Sequence, residues 1–204
     1  MTDFEIPPEC VQVIDRVLFT PEQLQTRVAE LGAQINADYA GKSVLLIGVL
    51  RGVIFFMTDL LRTLRIPVEV DFMAVSNYSP EARDRGFVRL VKDLDLSITD
   101  RHVLFVEDII DTGLTINYLL QSLKARKPAS LEVCVLFNKE KRRLIDLQLR
   151  YEGFKIPDYY VVGYGLDYRE KYRNMPFVGL IKAEVLQNNK ANPGPLIKSD
   201  RGSK

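Results

Sequence analysis

Short apolar runs alternate with amphipathic segments along most of the chain. The apolar runs are rich in Val, Ile, Leu and Phe, as buried strands are. They cover residues 44–49, 68–75, 103–106, 131–137 and 159–163. Segments with the helical spacing of apolar residues lie before and between these runs, at 21–39, 53–64 and 115–127. This alternation predicts an α/β protein with a central parallel sheet that is flanked by helices.

The connections between these elements carry further local signals. Thr20-Pro21-Glu22-Gln23 has the residues of an N-cap and a first helical turn. A polar, charged loop at 77–87 interrupts the alternation, and a strand near 88–91 is predicted to return from it. Ligands of a parallel sheet bind beyond the carboxyl ends of its strands, so one site is expected from four loops. These loops follow Val49, Val106, Phe137 and Tyr164.

Length and composition limit the classes of protein that fit. The chain has 204 residues, of which 47% are hydrophobic and 27% charged, and this predicts one α/β domain over 1–186. Residues 187–204 hold few large apolar side chains and are expected to be a disordered tail. The formal net charge is only +1, which argues against bulk attraction to nucleic acid or to an anionic membrane. Binding of an anion therefore has to be local.

The cellular compartment is inferred from the cysteines and from the amino-terminal residues. Cys10 and Cys134 are the two cysteines, and Cys134 lies inside an apolar run, so a disulfide framework is not expected. Asp3 and Glu5 stand where a signal peptide has basic residues, and no apolar run has membrane-spanning length. The sequence therefore predicts a cytoplasmic protein.

The most informative segment of the chain is 103–115, VLFVEDIIDTGLT. It reads as a buried strand that ends in Glu107 and Asp108, followed by a Gly-containing turn that opens a helix. The two carboxylates are suited to ribose hydroxyls or to a divalent cation, and the helix start is suited to a phosphate. An acidic turn before an ordinary Thr-capped helix is the alternative, but it leaves the crowded carboxylates without a reason.

This segment resembles the diphosphoribosyl-binding signature of the type I phosphoribosyltransferases. Further motifs follow in the order that is expected for the hypoxanthine (hypoxanthine-guanine) phosphoribosyltransferase family. They are GVLRG at 48–52, VDFMAVSNY at 70–78, KPASLEVC at 127–134 and VVGYGLDYREKYR at 161–173. The resemblance covers about residues 10–183. It implies the type I phosphoribosyltransferase fold, in which segments from both ends of the chain build a small hood.

The resemblance also implies an activity and its partners. The reaction is the Mg²⁺-dependent transfer of a phosphoribosyl group from 5-phosphoribosyl 1-diphosphate to N9 of a 6-oxopurine, with release of diphosphate. This is a purine salvage reaction that yields IMP or GMP. The implied partners are these small molecules, with no nucleic acid and no membrane, and the implied assembly is a homodimer or homotetramer.

Individual residues take roles from the matched motifs. Asp111 matches the general base or electrostatic stabiliser near the purine, and Glu107, Asp108 and Asp167 match the carboxylates that meet the metal. The ribose 5-phosphate site is matched by Glu107, Asp108, Asp111, Thr112, Gly113, Leu114 and Thr115. The diphosphate site is matched by Leu50, Arg51, Gly52, Arg143 and Arg173, with a Leu50–Arg51 peptide that is often cis in the family. The purine site is matched by Lys139, Tyr160, Val161 and Asp167, and Asn77 and Tyr78 match the start of a flexible loop.

Several of these assignments have a structural alternative. Lys139 also fits the start of a solvated basic run, Tyr160 a core aromatic, and Leu50-Arg51-Gly52 a plain strand-to-helix turn. The loop at 77–87 departs from the Gly-, Ser- and Thr-rich composition of its bacterial counterparts. Because a fold alone does not fix function, a xanthine or pyrimidine phosphoribosyltransferase and a nucleotide-sensing regulator remain alternatives.

Overall fold

The computed structural model of the chain describes residues 6–8, 10–76 and 89–191, and of 188–191 it describes the backbone. The elements of its first half are β1 (Ile14–Phe19), α1 (Pro21–Asp38), β2 (Val44–Leu50), α2 (Ile54–Thr63), β3 (Val68–Ser76) and β4 (Arg89–Lys92). The later elements are β5 (His102–Ile110), α3 (Leu114–Lys124), β6 (Ser130–Asn138), a 3₁₀ turn (Glu140–Arg142), β7 (Tyr151–Lys155), β8 (Val161–Val162), β9 (Val178–Ile181) and α4 (Ala183–Ala191).

The central sheet has the strand order β4-β3-β2-β5-β6-β7 in the described part of the chain. Strands β3, β2, β5, β6 and β7 pair in parallel, and β4 is antiparallel at one edge. Apolar side chains fill both faces of β2 and β5, and one face packs with α1 and α2 while the other packs with α3. Burial on both faces explains why these strands are continuous apolar runs. The predicted α/β class is confirmed.

The amino-terminal helix begins where the sequence predicts. Thr20 is the N-cap of α1, and its hydroxyl accepts a hydrogen bond from the Gln23 N–H at 3.3 Å. In return, Gln23 Oε1 accepts from the Thr20 N–H at 2.9 Å, which completes a capping box. Pro21 occupies the first turn, where its missing N–H costs nothing. The apolar face of α1 is thereby fixed against the sheet.

A second, smaller sheet joins the two ends of the chain. It has the order β1-β9-β8, and all its pairings are antiparallel. Cys10, Ile14, Val162, Phe177 and Ile181 form its own buried cluster. This sheet is the hood that the resemblance implies, so that expectation is confirmed.

One strand prediction was wrong in its place and its length. Only Val161–Val162 of the predicted run 159–163 is a strand, and it belongs to the hood instead of the central sheet. Gly163 follows it at φ +98°, which is not an extended conformation and ends the strand on that side. The other edge of the central sheet is β7, which the hydrophobic pattern missed because Glu152 and Gly153 separate its two aromatic residues.

Three further expectations concern the loop, the tail and the membrane. The returning strand near 88–91 is confirmed as β4, whereas the loop at 77–87, with Asn77 and Tyr78, lies outside the described residues. Helix α4 continues beyond the expected domain boundary at 186 as far as Ala191, and 192–204 lie outside the described residues. Among the residues that are described, no helix is both long and apolar enough to cross a membrane.

Candidate active site

The loop after β2 packs directly against the end of β5 and against the loop after β8. The Leu50–Arg51 peptide bond is cis, and Gly52 follows it. A Cβ atom on Gly52 would overlap Asp108 Oδ2, and a Cβ atom on Gly165 would overlap the Gly52 carbonyl oxygen. Gly165 has φ +97° and faces backbone, so only glycine fits there, whereas any other residue at 52 must displace the Asp108 carboxylate. The loop after β2, the loop after β8 and the end of β5 therefore meet closely at Gly52.

Glu107 and Asp108 are adjacent on β5 and both lie where water has little access. Burial is the main cause that raises the pKa of Asp108 to about 6, and the negative charge of Asp167 also raises it. Hydrogen bonds from the backbone of Ile109 and of Asp108 itself, and the positive charge of Arg173, act in the opposite direction. Burial, and then the neighbouring Asp108, raise the pKa of Glu107 well above its usual range. Glu107 Oε2 is buried and has no hydrogen-bond partner among the described residues. This pair is suited to take up a cation or hydroxyl donors.

The turn between β5 and α3 exposes the start of a helix. Gly113 is the N-cap of α3 at φ +82°, a conformation that favours glycine, and it has no side chain to cap the helix. Helix α3 begins at Leu114, one residue before its predicted start. Thr112 Oγ1 lies 3.5 Å from the Leu114 nitrogen, at the long end of a hydrogen bond. The first amides of α3 and the hydroxyls of Thr112 and Thr115 are therefore suited to an anion.

Lys139 lies just beyond the carboxyl end of β6 and next to the end of β5. Its backbone N–H donates to the Ile110 carbonyl at 3.0 Å, which places it beside Asp111. The residue is 8% exposed, so it is not the start of a solvated basic run. Its Nζ lies 3.9 Å from Asp111 Oδ2 and 3.6 Å from Asp158 Oδ1. A buried ammonium group is thus held between two carboxylates.

Arg142 contacts the same two carboxylates from the 3₁₀ turn. Its Nε lies 3.0 Å from Asp111 Oδ1, and its Nη1 donates to Asp158 Oδ1 at 3.2 Å. The contact to Asp111 is an ion pair without the alignment of a hydrogen bond, since Asp111 Oδ1 has no hydrogen-bond partner among the described residues. Each of the two basic residues thus contacts both acidic residues, so that acidic and basic side chains alternate around a ring of four: Asp111, Lys139, Asp158 and Arg142. We call these four residues the charge square.

Tyr160 and Val161 lie beside the charge square at the start of β8. Tyr160 is 45% exposed, and its ring meets Tyr168 edge to face with 5.3 Å between the ring centroids. It is therefore not a core aromatic. Val161 is buried, and the Tyr160 carbonyl accepts from the Ile181 N–H at 3.1 Å, which fixes the backbone there. The exposed part of the Tyr160 ring makes this an aromatic surface of the kind on which planar ligands stack.

Two arginines from different loops share one carboxylate. Arg51 Nη1 lies 2.9 Å and Arg173 Nη2 3.1 Å from Glu170 Oε2. Arg173 Nη2 also lies 2.8 Å from Asp167 Oδ1, and Nη1 of the same residue donates to the Gly165 carbonyl at 2.8 Å. The loop after β8 is therefore tied to the loop after β2 by charge as well as by close packing.

Arg143 has a different environment from the other basic residues of the predicted diphosphate site. Its Nε donates to Asn138 Oδ1 at 3.0 Å and its Nη1 to the Leu147 carbonyl at 3.2 Å. These bonds hold the segment after β6, so a contact of Arg143 with diphosphate stays a prediction.

Sequence reasoning did not single out Arg142, Asp158 or Glu170. The basic run at 139–143 and the position of Asp158 two residues before Tyr160 were the available signals. Neither signal predicts which carboxylates Arg142 contacts.

The described part of the chain contains no group of three or more His, Cys, Asp or Glu side chains that could by itself hold a metal ion. Mg²⁺ is usually bound through one or two carboxylates together with substrate phosphates and water. Asp108 lies close enough to Asp167 for the charge of Asp167 to raise its pKa, and Glu107 has an unpartnered buried oxygen. The carboxylates present therefore fit a Mg²⁺ ion that arrives with a phosphorylated ligand.

Comparison with known proteins agrees with these motifs. The model of the phosphoribosyl transferase domain matches residues 20–169. The hypoxanthine-guanine phosphoribosyltransferase of Streptococcus mutans is 44% identical over 174 residues, which are 85% of this chain and 97% of that protein. The enzyme of the same name from Streptococcus agalactiae is 46% identical over 172 residues, which are 84% of this chain and 96% of that enzyme.

A solved structure also resembles the chain over most of its length. The crystal structure of a hypoxanthine phosphoribosyltransferase from Staphylococcus aureus has a TM-score of 0.84 and 43% identity. The match covers 89% of this chain and 98% of the chain in the crystal structure. By its domain match and by its identity to relatives over nearly their whole length, this chain belongs to the hypoxanthine-guanine phosphoribosyltransferase family, within the type I phosphoribosyltransferases.

Proposed function

We propose that this protein is a purine salvage enzyme. It transfers the phosphoribosyl group of 5-phosphoribosyl 1-diphosphate to N9 of hypoxanthine or guanine and releases IMP or GMP with diphosphate. The observation that carries the proposal is the pair formed by Lys139 and Asp111, whose charged groups lie 3.9 Å apart at the ends of neighbouring strands. An ammonium group beside a carboxylate is the arrangement that the edge of a 6-oxopurine requires.

The purine edge explains the choice of base. O6 and N7 are neighbours on one edge of guanine and of hypoxanthine, and O6 is an acceptor, whereas adenine presents an amino group in its place. Lys139 is a donor with no acceptor capacity, so it binds O6 and meets the adenine amino group donor to donor. Asp111 then faces N7 and N9. Tyr160 stacks on the purine face, and the Val161 backbone and Asp167 lie toward the far edge of the ring.

The ribose, the 5-phosphate and the 1-diphosphate of the donor are assigned to separate segments at the carboxyl ends of β2 and β5. The 5-phosphate binds to the turn 111–115, through the first amides of α3 and the hydroxyls of Thr112 and Thr115. The ribose hydroxyls bind Glu107 and Asp108. The diphosphate lies against Leu50, Arg51 and Gly52, with Arg173 and Arg143 as its basic partners.

Mg²⁺ is proposed as the cofactor, held by Asp108, Asp167 and Glu107 together with oxygens of the donor. When bound, it supplies positive charge to the diphosphate that leaves. The support from this chain is the set of buried carboxylates, since the raised pKa values of Glu107 and Asp108 mean that both gain from a nearby cation. Arg51 and Arg173 add positive charge on the side of the leaving group.

Asp111 carries the chemical role in this proposal. The ribose carbon gains positive charge as diphosphate departs, and a carboxylate nearby stabilises that charge. The purine also loses a proton when N9 bonds to the ribose, and Asp111 is placed to accept it. Either role needs the negative charge of Asp111. The flanking cations Lys139 and Arg142 hold the carboxylate in position for it.

A direct assay tests the reaction. The purified protein is mixed with hypoxanthine, 5-phosphoribosyl 1-diphosphate and Mg²⁺, and IMP formation is followed by absorbance. Guanine, xanthine, adenine and uracil are compared in parallel. Turnover of hypoxanthine or guanine supports the proposal, a preference for xanthine or uracil overturns the base assignment, and nucleotide binding without turnover of any base favours a regulator.

The assembly, the compartment and the domain boundaries belong to the same proposal. Residues 1–186 act as one domain in a cytoplasmic homodimer or homotetramer. Family membership supports this, and light scattering of the purified protein tests the subunit number.

A further inference from the structure

Arg142 is the one member of the charge square that contacts both carboxylates through a rigid group. The guanidinium is a planar fork, and here Nε faces Asp111 Oδ1 at 3.0 Å while Nη1 faces Asp158 Oδ1 at 3.2 Å. A lysine at this position has a single charged nitrogen and cannot reproduce both contacts in the same geometry. The arrangement therefore depends on arginine in particular.

The two bridged carboxylates come from different elements of the fold. Asp111 follows β5 and begins the phosphate turn, whereas Asp158 lies two residues before Tyr160, on the segment that enters the hood. Pro157 restricts the backbone just before Asp158, and the Ile156 N–H donates to the Asn138 carbonyl at 2.9 Å. A contact that joins Asp111 to Asp158 thus joins the central sheet to the purine-stacking segment.

The exposure of the four residues indicates what the bridge does. The side chains of Arg142, Asp111 and Asp158 are 42%, 45% and 55% exposed, and ion pairs between such groups contribute little to the free energy of unfolding. Lys139, in contrast, is buried between the same carboxylates. The bridge therefore acts on orientation more than on stability: it fixes the two carboxylates between which the Lys139 ammonium group lies.

We propose that Arg142 is a positioning residue for base transfer, which acts through Asp158 and Asp111 on the atoms that meet the purine. The inference rests on the proposed function. In the free site, Arg142 holds the Asp111 carboxylate toward the position of N7 and N9 and holds Asp158 so that Lys139 points at O6. Without the fork, Asp111 and the segment before Tyr160 lose their fixed relation, while the phosphate and diphosphate loops keep theirs.

The test compares Arg142→Gln with Lys141→Gln, a matched control because Lys141 is an exposed cation one residue earlier on the same 3₁₀ turn. A misplacement of reacting groups by about 1 Å costs on the order of 100-fold, so we expect Arg142→Gln to lower kcat by about 10- to 100-fold. The KM for hypoxanthine rises. The KM for the diphosphate donor stays within about threefold, because the substitution does not change the contacts that bind the donor. Lys141→Gln keeps kcat within about twofold, as for a surface charge.

A double-mutant cycle identifies the partner. If the fork acts through Asp158, Arg142→Gln has a much smaller effect on kcat in an Asp158→Asn background than in the wild type. Arg142→Lys, which keeps the charge and loses the fork, shows most of the loss. Urea unfolding of each variant separates these effects from a loss of folding.

The outcomes are distinct from those of the proposed function. That function fails if the wild type makes no IMP or GMP. The positioning role is overturned if Arg142→Gln turns over like Lys141→Gln, if its loss lies entirely in the KM for the donor, or if the effects of Arg142→Gln and Asp158→Asn simply add. Calorimetric titration of IMP gives a second readout without turnover: weaker binding by Arg142→Gln than by Lys141→Gln supports the role, and equal binding overturns it.

Discussion

Asp108 rests on the backbone of Gly52, so closely that the Cβ atom of any other residue at 52 would overlap its Oδ2 atom. Gly165 approaches the carbonyl oxygen of Gly52 in the same way from the hood side. The Asp108 carboxylate, the loop after β2 and the loop after β8 thus meet at the backbone of Gly52. This contact explains why the loop after β2 requires glycine at 52.

Replacing Gly52 by alanine should therefore impair activity. The new methyl group must displace Asp108, whose burial leaves it little room to move, and a shift of about 1 Å at reacting groups costs on the order of 100-fold. We expect Gly52→Ala to lower kcat/KM for the diphosphate donor by about that factor. Initial rates at varied donor and Mg²⁺ concentrations measure it.

Gly41→Ala is the matched control for Gly52→Ala. Gly41 has φ +75° and open space around the position of a Cβ atom, so alanine there strains the backbone without touching the site. The control should lose some stability and keep its kcat/KM. Equal activity of the two variants would show that the Gly52–Asp108 contact does not position the donor.

Loss of the Asp111 charge should reduce turnover strongly. Asp111→Asn keeps the size of the side chain and removes both a proton acceptor and a negative charge, and general-base contributions are typically about 100- to 10,000-fold. We expect a fall in kcat within this range and a modest change in the KM for the donor. Asp146→Asn, an exposed neutralisation beyond the 3₁₀ turn, serves as the control. Near-normal turnover of Asp111→Asn would remove the assigned role.

Lys139→Ala should weaken the choice between 6-oxopurines and adenine. The variant loses the donor to O6 and no longer places a donor against the adenine amino group, and one polar contact of this kind is worth about 10- to 100-fold or more in discrimination. The ratio of kcat/KM for hypoxanthine to that for adenine is the measurement. Lys141→Ala provides the comparison, and an unchanged ratio in Lys139→Ala would exclude Lys139 as the reader of O6.

The sequence predicted those parts of the fold that depend on buried regular elements. The runs 44–49 and 131–137 are largely buried strands of the central sheet, and strands covered on both faces are mostly apolar. The run 68–75 is also a strand there, although Glu69 and Asp71 interrupt its apolar residues. The segment 159–163 has the same composition, yet it pairs in the hood. Its partner β9 is distant in sequence, and periodicity carries no information about the sheet to which a short run belongs.

The candidate site shows the same division. The motif at 103–115 placed Glu107, Asp108 and Asp111 at the end of a central strand, since the order of residues on one strand is fixed by the chain itself. Arg142 and Asp158 could not be paired from the sequence, because their contact depends on the path of the chain between β6 and β8. Side-chain partners across loops are decided by tertiary packing.

The stability of the protein should depend on pH through Asp108. Burial, as the main cause, raises the pKa of this carboxyl from 3.8 in the unfolded chain to about 6, so the folded state binds the proton more tightly. Between these two values the folded protein holds more protons than the unfolded chain, and the free energy of unfolding falls as pH rises. Ionisation of Asp108 lowers the free energy of unfolding by on the order of 3 kcal/mol, and this decrease is complete above about pH 6.

Urea unfolding of the wild type and of Asp108→Asn from pH 4 to pH 7 measures this contribution. We expect the variant to gain stability relative to the wild type as pH rises through the window, because the amide does not ionise. Parallel curves would show that the carboxyl is not perturbed. Mg²⁺ with IMP should reduce the difference if the bound cation stabilises the ionised form.

The hydroxyl of Tyr164 should matter for the loop that follows it. Tyr164 is 5% exposed and donates to Asp59 Oδ2 at 2.6 Å, and Gln25 Nε2 donates to the same oxygen at 2.6 Å. The next residue is Gly165, which packs on Gly52. This hydrogen bond therefore anchors the loop with Asp167 and Arg173 to α2. Tyr164→Phe keeps the ring and removes the anchor.

We expect Tyr164→Phe to lower the free energy of unfolding by about 1 to 3 kcal/mol, because it removes a buried hydrogen bond and leaves an acceptor without its donor. The loosened loop should raise the KM for the diphosphate donor more than it lowers kcat, because Arg173 is a proposed diphosphate ligand and Gly165 packs on the proposed diphosphate loop. Tyr118→Phe is the control, since Tyr118 is 48% exposed on α3. A loss of stability with an unchanged KM would mean that the Tyr164–Asp59 bond supports the fold but does not position the loop for the donor.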